Sequence, residues 1–216
     1  MARKQQESPP TEEVSAAIVI DEIDAETLSV PIVGTSPLIV HRFSEKSKRQ
    51  MLDAMQSRKT PKQPKDPEAE YLAALYHCKD GGYGFPAAAF KQATVGGARF
   101  YGSSVTMTAL RTSMFMKGEP GEDGTSLVTI NGEPVMREDV VRVGRGGTDL
   151  RYRPQFDDWS TTLTVVFVKS MLTRGSVLSL IDAGGLGVGV GEWRPEKDGD
   201  FGTYRIDDTR DVEVLS

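Results

Sequence analysis

Apolar residues alternate with other residues in several stretches of the chain, and that period of two predicts β-strands. Val14, Ala16, Ile18 and Ile20 make one such stretch. Leu28, Val30 and Ile32 make a second, which Pro37–Val40 extends past the break at Gly34. Leu163, Val165 and Phe167 alternate in the segment of highest β-propensity. Val105 to Met116 also reads as strand, and a last strand falls near Thr203–Ile206. Leu127–Ile130 and Glu133–Met136 flank Asn131-Gly132, a favoured two-residue turn, and so predict a hairpin.

Helical spacing appears in four places. Ser44 can cap a helix to about Gln56 with Met51, Leu52 and Met55 as its apolar positions. Asp66 followed by Pro67 is an N-cap and a first-turn proline, opening a helix with Tyr71, Leu72 and Leu75. Phe85-Pro86 opens a third helix, Ala87 to about Ala98, and a fourth runs from about Thr173 to Ala183 with Gly184 at its C-terminal cap. Strand, helix, strand, a long excursion, then strand, helix, strand is the split βαβ order of an α+β, ferredoxin-like (RRM-like) core. The polar residues 1–13, with Pro9-Pro10, read as a disordered tail. Residues 14–216 read as one domain, with a basic and helical insertion at 42–82 and a thumb hairpin at 112–156.

Composition narrows the chemistry. In 216 residues, 38% are hydrophobic and the longest apolar runs fall far short of the ~20 residues of a membrane helix. No apolar stretch follows the first residues, so neither a secretory signal nor a membrane partner is expected. Cys78 is the lone cysteine, which excludes a disulfide framework and a multi-cysteine metal site. His41 and His77 are the two histidines. No cofactor and no metal is expected, and a reducing cytoplasm, that of a bacterial host, is the expected location.

The net charge of −5 hides a segregation. Arg42 to Lys65 carries eight basic groups against two acidic ones, and Arg142 to Arg153 four against one. Basic segments on an acidic body are either solvated surface or local phosphate-binding stripes. Aromatic rings stand beside cations at Phe100-Tyr101, at Arg151-Tyr152-Arg153 and at Trp193-Arg194, a pairing that suits single strands whose bases stack while phosphates meet cations. Trp193 could equally pack its ring under the neighbouring glycines.

Two segments are unusual. Gly184-Gly-Leu-Gly-Val-Gly-Val-Gly191 alternates strictly and lacks the Gly-x-Gly-x-x-Gly spacing of a dinucleotide site. Its glycines either let a ligand backbone approach or simply cap and bend the chain. In Tyr83–Arg99 a proline starts a small-residue helix whose free N–H groups suit a phosphate, with Lys91 and Arg99 two turns apart. The alternative is a helix packed tightly on a sheet. Asp157-Asp158 and Asp207-Asp208 read as solvated pairs rather than a two-metal centre, and His41 as structural rather than catalytic.

Residues 83–99 resemble the Ile-Pro-Gly-Ser-Ser-Leu-Lys-Gly-Ala-Leu-Arg helix start of the RAMP superfamily, the Cas7-like proteins. Phe85-Pro86 and Lys91 stand at matching places and Arg99 approximates the terminal Arg, while Ala87-Ala88-Ala89 replaces Gly-Ser-Ser. Residues 184–206 resemble that superfamily's glycine-rich loop and following strand. Three further segments, 37–46, 66–71 and 189–199, are similar to a group of small proteins of tailed bacteriophages. The RAMP resemblance implies a non-enzymatic, sequence-tolerant binder of single-stranded DNA or RNA that oligomerises along the strand into a filament or ring. Phosphates would then meet Lys46, Lys48, Arg49, Arg58, Lys59, Lys62, Lys91, Arg99, Arg142, Arg145, Arg151, Arg153 and Arg194. Tyr152 or Trp193 would stack, and Gly185, Gly187, Gly189 and Gly191 would allow close approach. Two alternatives stand beside this: a phage structural or protein-interaction module, and, more weakly, a RAMP-type endoribonuclease using His41.

Overall fold

Strand β1 (Ala25–Gly34) pairs antiparallel with a strand near the other end of the chain, Ser160–Val168, and this pair is the centre of the main sheet. The structure, a computed structural model, describes residues 22–58, 64–143 and 147–215. The strand expected at Val14–Ile20, together with Lys59, Lys62 and Arg145, lies outside those residues.

After β1 come β2 (Leu38–Ile39), α1 (Glu45–Met55), α2 (Pro67–Ala73), β3 (Tyr76–His77) and β4 (Tyr83–Pro86). Next are α3 (Ala87–Gly97), α4 (Met107–Ser113), β5 (Met114–Lys117), β6 (Glu119–Pro120) and β7 (Ser126–Thr129). β8 (Pro134–Val143), β9 (Gly147–Phe156), β10 (Ser160–Val168), α5 (Arg174–Gly187), β11 (Tyr204–Ile206) and β12 (Glu213–Val214) complete the order. The architecture is mixed α and β with antiparallel sheets. The main sheet runs β11-β1-β10-β5, with β12 also on β1; the others run β2-β9-β8 and β3-β4-β7-β6.

The alternation read from the sequence is the burial pattern. Leu163, Val165 and Phe167 of β10 and Leu28, Val30 and Ile32 of β1 are buried, with Leu28 opposite Val165 and Val30 opposite Leu163. Phe90 of α3 and Val177, Leu180 and Ile181 of α5 join them in one apolar cluster. Trp159 closes one end of it, its ring tilted against Phe90 and edge-on to Tyr204, and its indole N–H donates to the Ser36 carbonyl at 2.9 Å.

Four expectations are corrected. Val105 to Met116 is not one strand: Thr106 caps α4 by accepting from the Ala109 N–H at 3.2 Å, and β5 starts only at Met114. Such a cap is worth about 1 kcal/mol and outweighs the β-branched residues of so short a helix. Asn131-Gly132 is not a hairpin turn. β7 pairs with β4 and β6, which buries Leu127 and Val128, while Asn131 bridges to Ser160 of the main sheet. The long hairpin of this stretch is β8–β9, ten residues on each side, and β6–β7 forms a short one. The thumb of 112–156 is therefore three things: β5 in the main sheet, β6 and β7 in a second sheet, and the β8–β9 hairpin in a third.

The fourth correction concerns the glycine run. α5 passes through Gly184 and Gly185 and ends at Gly187. A Cβ on Gly184 would lie 2.5 Å from the Ala93 carbonyl oxygen, and one on Gly97 would lie 2.7 Å from the Gly184 nitrogen. These glycines are where α3 and α5 cross, backbone against backbone. Close packing outweighs the conformational cost of glycine inside a helix, about 1 kcal/mol.

Candidate nucleic-acid interface

His41 follows β2, which is held by β9 on one side; the Val40 N–H donates to the Pro154 carbonyl and the Arg42 N–H to the Ala74 carbonyl. The segment after α5 folds onto this strand end. Gly189 and Gly191 take positive φ, +68° and +81°, and a Cβ on Gly191 would lie 2.5 Å from the Ile39 carbonyl oxygen. Only glycine lets the loop settle there. The Glu192 N–H then donates to that same carbonyl at 3.0 Å, which sets the Glu192 carboxylate 3.6 Å from His41 Nδ1.

Trp193 is the next residue and one of the few non-glycine residues at positive φ, +54°. Trp193 is 43% exposed, unlike Trp159 at 3%. Arg194 curls back so that its guanidinium donates to the Gly191 carbonyl at 3.1 Å and to Glu196 at 3.2 Å. Arg99, just past α3, reaches the other oxygen of Glu196 at 3.1 Å. On the far side of His41 its ring stacks on Phe43, with centroids 5.9 Å apart, and Phe43 is 56% exposed.

Between these groups and α3 lies a cleft of about 170 Å³, lined among others by His41, Tyr76, Gln92, Val190, Glu192 and Glu196. Its charges are balanced. The His41 ring 3.6 Å away, with Arg153 behind it, holds the Glu192 carboxyl below the usual range against the opposing effect of burial. Burial works to raise Glu196, yet its bonds from Arg194 and Arg99 bring it below the usual range as well. Burial raises the Tyr76 phenol, and the Asp123 charge adds to that. Asp123 itself is held at about 2 by hydrogen bonds from the Thr125 side chain and backbone, helped by Arg42 at 3.2 Å.

The β8–β9 hairpin carries a ladder of paired charges. Arg137 bonds Asp139 at 2.7 Å and Gln155 at 2.8 Å. Arg153 bonds Asp139 at 3.3 Å and approaches Glu192 at 3.8 Å. Arg153 is buried between these carboxylates, so its guanidinium belongs to the scaffold of the site rather than to the surface. Arg151 lies 3.9 Å from Asp149, which Lys65 also pairs at 2.6 Å. Tyr152 stands opposite Glu138, and the hydrogen bond between them pushes its phenol up.

The remaining expected residues are dispersed. Lys46, Lys48 and Arg49 stand on α1, and Arg58 follows it. Arg142 is exposed near the end of β8. Lys91 donates to the Arg111 carbonyl at 2.9 Å and lies over the Phe115 ring, away from the partners of Arg99. Gly185 faces the Tyr204 backbone and Gly187 the Phe100 ring. The structure thus brings His41, Gly189, Gly191, Trp193, Arg194, Arg99 and Arg153 to one region. Sequence reasoning missed Tyr76 and Arg137, which lie in no motif, and Gln92 and Glu192, which lie within the segments 83–99 and 189–199 but were given no role. The left-handed glycines on either side of Val190 were the one local signal that the residues after them are held in place.

No family model matches the sequence, and no curated protein matches it. Among solved structures the chain is similar to Cmr6 from Pyrococcus furiosus, with a TM-score of 0.41 and 10% identity, over 86% of this chain and 100% of that one. It is also similar to a chain of the type III-B Cmr-beta complex bound to cognate target RNA, with a TM-score of 0.41 and 8% identity, over 89% of this chain and 61% of that one.

Proposed function

We propose that the protein is a non-enzymatic binder of single-stranded nucleic acid, tolerant of sequence along most of the strand, that self-associates on its ligand. The observation that carries this reading is the Trp193-Arg194 turn. Trp193, 43% exposed, stands there between Glu192 and Arg194, which both line a cleft whose wall also includes His41 of the His41–Phe43 stack. Stacking on such rings is worth about 1–3 kcal/mol per base and is indifferent to base identity. Lys48, Arg49, Arg58 and Arg142 are exposed cations that suit the phosphates. The strand order β11-β1-β10-β5, with α3 following β1 and α5 following β10, supports a ferredoxin-like core of the kind the RAMP resemblance implies.

The test is a titration with single-stranded DNA and RNA followed by tryptophan fluorescence. Of the two tryptophans only Trp193 is open to a base. Ligand should quench the wild type, Trp193→Phe should lose the quench, and affinity should fall steeply with salt as counterions are released. Binding with a flat salt response would remove the electrostatic half of the reading.

Exposed apolar residues favour a second reading, a module that assembles with protein partners. Met51, Leu52 and Met55 of α1 and Val140 of the hairpin are at least half exposed, and exposed apolar surface of that sort suits protein interfaces. Large particles that form without any nucleic acid would favour it.

A further inference from the structure

Among the described residues, β8 is the outermost strand of its sheet, and no strand lies beyond it. The outer side of β9 is occupied instead: β2 pairs with it at Gln155 and Phe156, and Lys65 bonds Asp149 and the Leu150 carbonyl. The Pro154 carbonyl accepts from the Val40 N–H, so Pro154 turns its backbone away from β8. Residues directly opposite in an antiparallel ladder either bond each other or both turn outward. Met136 stands opposite Pro154 and therefore turns outward, as do Glu138, Val140 and Arg142 at the period of two. Their N–H and C=O groups point to the open side. A long edge of this kind is a template for another strand.

The side chains along that edge are complementary to themselves. Glu138, Val140 and Arg142 are exposed on one face, while Asp139 and Val141 between them are buried on the other. Val140 is 70% exposed, and its register partner Leu150 is exposed beside it. Glu138 and Arg142 stand two residues to either side of Val140. A second copy related by a two-fold axis at Val140 brings valine against valine and sets each Glu138 opposite an Arg142. Leu150 and Val140 of both copies then form one apolar stripe across four strands, with an ion pair on each side of its centre. Opposite charges directly across an antiparallel pair attract and like charges repel. Centring the pair on Glu138 or on Arg142 would instead set like charges face to face. We propose that two copies of this chain join edge to edge through β8, antiparallel and centred on Val140, so that their β2-β9-β8 sheets run on as one. The contact is isologous and closes at two subunits, unlike the head-to-tail contact of a filament. It forms without nucleic acid and stands apart from the single-strand reading.

The experiment is analytical ultracentrifugation of the full chain, free of nucleic acid, over a range of concentrations. The wild type should pass from monomer to dimer and stop there. Glu138→Arg sets like charges opposite each other at both pairs and should weaken dimerisation roughly tenfold. Adding Arg142→Glu restores opposite charges and should bring the dimer back. Val140→Pro removes an N–H that β9 does not use, and should leave a folded monomer at every concentration. Circular dichroism reads the fold of each variant, and if Val140→Pro unfolds, the charge reversal and its rescue decide. A wild type that stays monomeric, or one that grows past the dimer, overturns the proposal. So does a dimer indifferent to Glu138→Arg, or a loss that the second reversal does not restore. None of these outcomes bears on the single-strand reading, which the oligonucleotide titration tests separately.

Discussion

His41 Nδ1 lies 3.6 Å from Glu192 Oε1, where the end of β2 meets the loop after α5. The loop stays on the strand through the Glu192 N–H and through this side-chain contact. Glu192 is an acid whose folded-state pKa is lowered. Its contribution to stability is therefore fully present above the unfolded carboxyl value of about 4.3, and it is lost as the pH falls through the folded value. Glu192→Gln should lower stability by about 1 kcal/mol at pH 7, a figure already reduced for the partial exposure of the pair. The gap between variant and wild type should close below about pH 4. Urea unfolding at several pH values measures both, and a gap that does not vary with pH would mean the contact is not ionic.

The helix crossing makes a sharper prediction. Gly184→Ala places a methyl group 2.5 Å from the Ala93 carbonyl, and neither backbone can move without opening the core. The expected loss is about 1–3 kcal/mol. Gly175→Ala, in the first turn of the same helix, meets only the Thr173 hydroxyl at 4.0 Å and should instead add about 0.5–1 kcal/mol. Opposite signs within one helix separate packing from propensity, and chemical denaturation of the two variants reads them directly.

If the protein only binds its ligand, His41→Ala leaves labelled RNA and DNA as intact as the wild type does, with and without magnesium. Gel analysis after long incubation is sufficient. Cleavage by the wild type that disappears in the variant would replace the binder with a ribonuclease built on the His41–Glu192 pair.

Assembly is tested on the hairpin. Replacing residues 140–150 by Asn-Gly joins Asp139 to Arg151, which are register partners, through a favoured turn. The exposed Val140 and Leu150 are removed and the main sheet is left whole. Light scattering should show that this variant stays small on long single strands that enlarge the wild type. Deleting 121–134 instead takes out β7 with the buried Leu127 and Val128, and should unfold the protein.

What could be read in the sequence was the local part. Asp66-Pro67 caps α2 as expected, with the Asp66 carboxylate accepting from the Ala69 N–H at 3.1 Å, because a cap is decided within four residues. The burial of β1 and β10 follows from their period of two. Asn131-Gly132 misled because turn propensity competes with strand pairing: β7 is buried between β4 and β6 and does not turn back on β8. Gly184 misled because a glycine at a helix crossing and a glycine at a helix cap look alike in one dimension. The site was half legible. Trp193 and Arg194 stood out as an aromatic–cation pair, whereas Glu192 and Tyr76 gain meaning only from where β2, β3 and the loop after α5 converge.

The pairing of β1 with β10, from Ala25 opposite Val168 to Val33 opposite Ser160, also fixes the order of events on the ribosome. β8 and β9 can pair as soon as β9 is made, because they are close in sequence. β1 has no such neighbour. Leu28, Val30 and Ile32 leave the exit tunnel early and must wait for Leu163 and Val165, whereas β10 finds β5 already made. During that interval an apolar strand is open to capture by any other nascent chain. Yield in a cell is then set by elongation past β10 and by chaperone supply, and slowing translation ahead of Ser160 should send more of the product to aggregates.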